Sequence, residues 1–63
     1  MKKIYYVEFL CLELDNTYRV VDHECYLNYD NANSMIKSWI RLSRDYSFNL
    51  RVTFLADWNK EMD

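Results

Sequence analysis

Residues 3–14 of this chain read KIYYVEFLCLEL, and this stretch decides the fold. It is rich in β-branched and aromatic residues and carries no Gly or Pro, which predicts a β-strand. Its odd-numbered and its even-numbered positions are both mainly apolar. A strand that is apolar on both faces is typical of the centre of a sheet, because both faces need cover. We therefore expect this strand to have a neighbour on each side.

Two further strands are predicted from the remaining sequence. Residues 18–29 return after a short turn at residues 15–17 and form the second strand. Residues 48–58 form the third, with apolar side chains at even positions from Phe48 to Ala56 and mostly polar ones between them. Because the chain lacks Gly, Asp15 and Asn16 are the residues expected to supply left-handed backbone at the turn.

A helix is predicted between the second and third strands. Apolar residues recur at three- and four-residue spacing from Ala32 to Ile40, the pattern of an amphipathic helix. Asp30 or Asn31 is the expected N-cap, and the helix should end near Asp45.

The fold class that follows is α+β, with the element order β-β-α-β. We expect a three-stranded antiparallel sheet in the order 2-1-3 with one helix packed on one face. The 63 residues form one domain, 1–63, in which residues 59–63 are expected to be a frayed tail.

The register of the first hairpin decides which side chains share a face. A three-residue loop pairs Leu14 with Tyr18 and gathers apolar side chains of both strands on one face. A two-residue loop would scatter Asp22 and Glu24 among those apolar side chains. We expect the first register, in which Glu24 lies opposite another acidic residue, Glu8.

A single helix covers only one face of the sheet, so the other face should expose apolar side chains. A monomer rarely leaves such a patch open, and we expect it to bind a second copy or a protein partner. The expected interface comprises Tyr6, Leu10, Leu12, Val20, Tyr26 and Leu55.

Two charged surfaces are further candidates for contacts. One is an acidic patch near the tyrosines, formed by Glu8, Asp22 and Glu24. It could occupy a basic groove on another protein, or it could only keep the rim of the sheet soluble. The other is a basic stripe on the helix, formed by Lys37, Arg41 and Arg44. It could bind phosphates, or it could be a solvated helix face.

The residues that carry chemistry are few. His23 is the only histidine, and with Cys25 it makes at most half of a zinc site. Cys11 is expected too far from Cys25 along the hairpin for a disulfide or a shared metal. Since no nucleophile elbow, Ser-His-Asp set, P-loop or zinc-protease motif is found, we predict no catalytic residues, no metal, no cofactor and no enzymatic activity.

Size and composition suggest a context. The chain has a net charge of −2, is 51% hydrophobic, and contains neither Gly nor Pro. It lacks a secretory h-region and any apolar run of roughly 18 residues, so we expect a cytoplasmic protein that does not enter a membrane. In size and composition it resembles accessory proteins of phages and mobile elements in low-GC bacteria. Some of these inhibit host defence nucleases, among them the anti-CRISPR proteins.

The leading hypothesis is therefore a small, non-enzymatic protein-binding module, homodimeric, that inhibits a host defence protein such as a CRISPR nuclease from within the host cytoplasm. The first alternative is a nucleic-acid-binding protein that stacks bases on Tyr6 and Tyr26 and holds phosphates with basic helix residues. The second is a structural subunit of a larger assembly.

Overall fold

The computed structural model describes the backbone of residues 2–62 and the side chains of residues 2–58. Three strands form one antiparallel sheet in the order β2-β1-β3, with the predicted central strand in the middle. The α+β class, the strand order and the helix packed on the sheet are confirmed. A second, short helix at the C-terminal end was not predicted. The elements are β1 (Lys3–Leu12), β2 (Tyr18–Tyr26), α1 (Tyr29–Leu42), β3 (Tyr46–Phe54) and α2 (Leu55–Met62).

The hairpin between β1 and β2 closes with a three-residue loop at residues 14–16. The Glu13 N–H donates to the carbonyl of Thr17 at 2.7 Å, and the Asn16 N–H donates to the carbonyl of Glu13 at 3.1 Å. Asn16 has a φ of 68° and supplies the left-handed backbone that Gly would otherwise provide. The Asp15 carboxylate accepts from the Thr17 N–H and hydroxyl at 3.1 and 2.6 Å. The prediction of left-handed backbone at the Asp-Asn pair is confirmed at Asn16.

The predicted register of this hairpin is wrong. Near the loop, Leu12 pairs with Tyr18, but the register shifts between Phe9 and Leu10. The partner jumps from Val20 to Asp22, so Val21 is the extra residue of a β-bulge. Beyond the bulge every side chain of β2 lies on the opposite face from the one expected, because the side-chain period of a strand is two residues.

Helix α1 begins and ends earlier than predicted. The N-cap is Asn28, whose side-chain oxygen accepts from the Asp30 N–H at 2.7 Å, and not Asp30 or Asn31. The C-cap is Ser43, so Asp45 lies outside the helix. An Asn at the cap satisfies one of the N–H groups that the first helical turn leaves without a partner.

The core lies between α1 and one face of the sheet. Val7 and Phe9 of β1 pack against Ala32 and Ile36 of α1, and all four side chains are buried. Partly buried side chains surround this cluster: Tyr5, Tyr26, Trp39 and Phe48. The predicted helix face is thus confirmed at its centre. Ile4 and Leu10 are also buried, but alternation along β1 places them on the opposite face.

The third strand ends earlier in the sequence than predicted. It stops at Phe54, and the chain turns into α2 at Leu55, where an extended strand to Trp58 was expected. The Leu55 N–H donates to the carbonyl of Lys2 at 2.9 Å and closes the ladder between β1 and β3. Of the predicted frayed tail, residues 59–62 have a helical backbone, and Asp63 lies outside the described residues.

Candidate interaction surfaces

The six residues predicted as an interface do not form one open patch. Leu10 is buried with 7% of its surface exposed, and Tyr26 packs against the core on the side of α1. Leu55 is the first residue of α2 and not a strand residue. Tyr6 and Leu12 are half-buried on the face away from α1, where Val20 is exposed. The placement of Tyr26 and Leu55 on an open sheet face is therefore wrong, because of the bulge and the early end of β3.

The face away from α1 carries an aromatic cluster. The rings of Tyr6 and Trp58 lie 5.0 Å apart at 38°, and the ring of His23 lies 6.0 Å from Tyr6. Partial burial raises the pKa of the Tyr6 hydroxyl, and the nearby Glu8 carboxylate and Cys25 raise it further. Trp58 thus covers part of the sheet face that was expected to be open.

The predicted acidic patch is divided between the two faces of the sheet. Glu8 lies opposite His23 and accepts from the Asn49 amide at 3.5 Å, on the face away from α1. Asp22 and Glu24 lie opposite Phe9 and Val7, on the face that α1 packs against. Burial raises the pKa of the neighbouring Tyr26 hydroxyl, and the charges of Glu24 and Asp22 raise it further. This effect agrees with the position of both carboxylates on the same face as Tyr26. Glu8 therefore faces His23 and not Glu24.

The predicted basic stripe is shortened. Lys37 and Arg41 are exposed on α1, but Arg44 lies in the turn after the helix. Tyr6 and Tyr26, the two tyrosines proposed to stack nucleic-acid bases, lie on opposite faces of the sheet. The two rings therefore do not share one stacking platform.

The two cysteines are free and lie on opposite faces. Cys11 follows the core residues of β1 and pairs with Arg19, whereas Cys25 pairs with Tyr6. Within residues 2–58, no group of three or more His, Cys, Asp or Glu side chains is placed to hold a metal ion.

An apolar strip is exposed on β3, on the same face of the sheet as α1. Leu50, Val52 and Phe54 have 37%, 51% and 40% of their surfaces exposed. The helix begins near β1, where Tyr29 meets Tyr5 edge-on, and crosses towards the start of β3. It leaves the second half of β3 uncovered. Hereafter the β3 strip means Leu50, Val52 and Phe54.

Alternation along the sequence identifies these three side chains but predicts that they are buried. They stay exposed because the buried stripe of α1 is narrow: Ala32 and Ile36 are the residues of this helix that are buried. One helix with so narrow a stripe covers only a diagonal band across three strands. Strand β3, at the edge of the sheet, is left partly outside that band.

The backbone of the β3 strip points to the free edge of the sheet. At one end of the ladder Leu12 N–H donates to Asp45 O at 2.8 Å, and at the other Leu55 N–H donates to Lys2 O. Hydrogen-bonded pairs alternate along an antiparallel ladder, so the odd-numbered residues of β3 bond to β1. The N–H and C=O groups of the even-numbered residues, which include the whole strip, therefore face outwards.

The two edge strands of the sheet differ in how well they are protected against pairing with another strand. Strand β2 contains a bulge and the charged residues Arg19, Asp22 and Glu24, which are devices that discourage pairing with another strand. Strand β3 is paired with β1 without a shift over its whole length and has Arg51 as its one charged residue. A long, regular and largely apolar edge is a template for a further strand.

A groove separates the other side of α1 from β2. It has a volume of about 240 Å³ and is lined by Phe9, Asp22, Met35, Ser38, Trp39 and Leu42. Apolar side chains form most of its walls, and Asp22 brings the one carboxylate. Met35 and Leu42 are largely exposed at its rim. This lining is hereafter the α1–β2 groove.

The chain exposes more surface than a compact monomer of its size. Its solvent-accessible area is 4987 Å², and a folded monomer of 7.8 kDa is expected to expose about 4,400 Å². Its radius of gyration is 12.9 Å, where about 11 Å is expected for 63 residues. The molecule is a slab of 39 × 25 × 12 Å, thin enough that many apolar side chains remain at the surface.

In comparisons with known proteins, no family model, no curated protein and no solved structure matches this chain. Neither α1 nor α2 has the length and apolar content that a helix would need to cross a lipid bilayer.

Proposed function

We propose that this chain is a small protein-binding module that acts as a homodimer, joined through the edge of β3. The observation that carries the proposal is that one stretch, Leu50 to Phe54, combines exposed apolar side chains with outward backbone groups. In a monomer the apolar side chains stay in water and the backbone groups have no strand to pair with. A second copy of the same strand would cover the side chains and pair with the backbone groups.

The arrangement is an antiparallel pairing of two β3 strands about a two-fold axis. It makes one six-stranded sheet in the order 2-1-3-3-1-2 and abolishes two exposed edges. The two β3 strips then lie side by side on one face as cross-strand pairs, each worth roughly 0.2–1 kcal/mol.

Surface area supports a second copy as the occupant. The excess of exposed surface is about 600 Å² per chain relative to a compact monomer. A standard stable interface buries about 800 Å² per partner, so the excess is of the right size for one. Among the side chains of residues 2–58, six hydrophobic ones are buried, which is a small core, and pairing would add to it.

The decisive measurement is the mass in solution by light scattering and sedimentation across a wide concentration range. The wild type should have twice the mass of the chain. Val52→Pro removes one outward N–H without touching the bonds to β1, and it should give a folded monomer by circular dichroism. Val52→Thr keeps the N–H and the β-branch, so this matched control should stay dimeric.

Two outcomes would contradict the proposal. A wild type that remains monomeric at every concentration would show that the β3 edge does not join two copies. A Val52→Pro variant that stays fully dimeric shows that the copies meet elsewhere. Thr53→Pro gives the reference for damage to the fold, because the Thr53 N–H lies on the β1 side of the strand and its loss should destabilise the monomer itself.

The composition adds a prediction about the partner, namely a host defence protein bound by a phage-encoded dimer. Mixing the purified dimer with a purified CRISPR nuclease and measuring both complex formation and DNA cleavage tests that prediction directly.

A further inference from the structure

We infer that the α1–β2 groove is a docking site for a segment of a partner protein that carries an apolar side chain followed by Lys or Arg. The inference rests on the proposed function only in treating the chain as a binding module. The groove lies within one copy, on the side of α1 away from the β3 strip.

The size of the groove favours a side chain over a small-molecule ligand. Its volume of about 240 Å³ is below the range of roughly 300–1,000 Å³ typical of small-molecule sites. It is open along one side and shallow, as suits one or two large side chains projecting from a peptide. An apolar anchor in such a pocket is the usual centre of a protein interface.

The walls of the groove combine rigidity with adaptability. Phe9 is buried in the core, and its ring meets that of Trp39 edge-on at 5.7 Å. Trp39 is held further by hydrogen bonds from its indole N–H to the carbonyls of Leu10 and Ser47 at 3.2 and 2.8 Å. Met35 at the rim is flexible and polarizable, so it can adjust to anchors of different shape.

The charge at the groove selects a basic neighbour for that anchor. One oxygen of Asp22 accepts from the His23 N–H at 2.8 Å, which fixes the carboxylate while leaving it further acceptor capacity. Glu24 lies two residues along on the same face. Beside an apolar wall, the Asp22 carboxylate favours Lys or Arg and repels phosphate, so a protein segment fits this site better than nucleic acid.

The test is a selection of random peptides by display on the full-length wild-type protein, followed by affinity measurements on the selected peptides. Enriched peptides should carry an aromatic or aliphatic residue beside Lys or Arg. Ser38→Trp fills the groove and should abolish their binding, whereas Lys37→Trp, one residue away on the exposed side of α1, should not.

The charge is tested by a matched pair of variants. Asp22→Asn should weaken the selected peptides about fivefold, and added salt should weaken the wild type towards the same affinity. Glu8→Gln makes the same change in net charge on the opposite face and should leave affinity unchanged.

Failure of this inference can be told apart from failure of the homodimer. Val52→Pro should bind the peptides as tightly as wild type, since the groove belongs to one copy. The inference is overturned if no peptide is enriched, if the enriched peptides lack a basic residue, or if Ser38→Trp binds them unchanged. It is also overturned if Ser38→Trp makes the protein monomeric, because the groove would then hold the second copy.

Discussion

Trp39 of α1 and Tyr46 of β3 lie ring on ring, with 4.0 Å between their centroids and 5° between their planes. The same indole donates its N–H to Ser47 and Leu10, which are paired across β1 and β3. One side chain thus ties the helix to two strands at once and keeps one wall of the α1–β2 groove in place.

Trp39→Phe should lower the free energy of unfolding by about 1–2 kcal/mol. Phe keeps an aromatic ring between Phe9 and Tyr46 but leaves two carbonyl groups without the indole donor. Urea unfolding followed by circular dichroism measures the change. Trp58→Phe is the matched control, because it retains a ring against Tyr6 and should cost less. Equal losses in the two variants would show that the indole hydrogen bonds contribute little.

Asn16→Gly should leave the stability unchanged or slightly increase it, whereas Asn16→Val should lower it by about 1–2 kcal/mol. The reason is the φ of 68°, which Gly adopts without steric cost and a β-branched residue does not. Thermal and urea unfolding of both variants provide the comparison. An Asn16→Val variant as stable as the wild type would mean that the loop relaxes to another conformation.

Asn28→Ala should destabilise the protein by about 1 kcal/mol through loss of the helix cap. Asn31→Ala removes the same side chain inside α1 and should be neutral or slightly stabilising, because Ala has the higher helix propensity. The pair distinguishes the observed cap from Asn31, one of the two caps that the sequence predicted. A larger loss for Asn31→Ala would contradict the capping role of Asn28.

The stability of the hairpin should fall in acid partly through Asp15. Hydrogen bonds from the Thr17 hydroxyl and N–H lower the pKa of this carboxyl below its ordinary value of 3.8. A lowered folded-state pKa means that the contribution is present above about pH 4 and is lost as the pH falls through the folded-state value. Titration of the carboxyl by NMR should give a pKa below that of a Thr17→Ala variant. An identical pKa in both proteins would rule out the hydroxyl as the cause.

Much of the architecture follows from local patterns. Alternation predicted a strand over residues 48–58, which the structure ends at Phe54, and helical spacing from Ala32 to Ile40 predicted α1. The two-faced apolar pattern of β1 predicted the strand order. These patterns are periodic and local, so neighbouring residues are enough to express them.

The candidate sites could not be predicted in the same way. The loop at residues 14–16 moves the pairing by two residues, which keeps the expected faces. The extra residue at Val21 moves it by one more residue, which exchanges the faces of β2 beyond the bulge. Asp22 and Glu24 therefore lie beside the helix, where the register expected from the sequence places His23 and Cys25. That exchange is the reason why Asp22 lines the α1–β2 groove.

The sequence by itself determined the three strands and α1, but not α2, since hydrophobic period and turn chemistry are properties of adjacent residues. Only the tertiary structure decided which side chains stay exposed. The diagonal path of α1 leaves the β3 strip uncovered, and the bulge at Val21 sets the face of the acidic residues. Both depend on how separate elements meet in space, which no single stretch of sequence encodes.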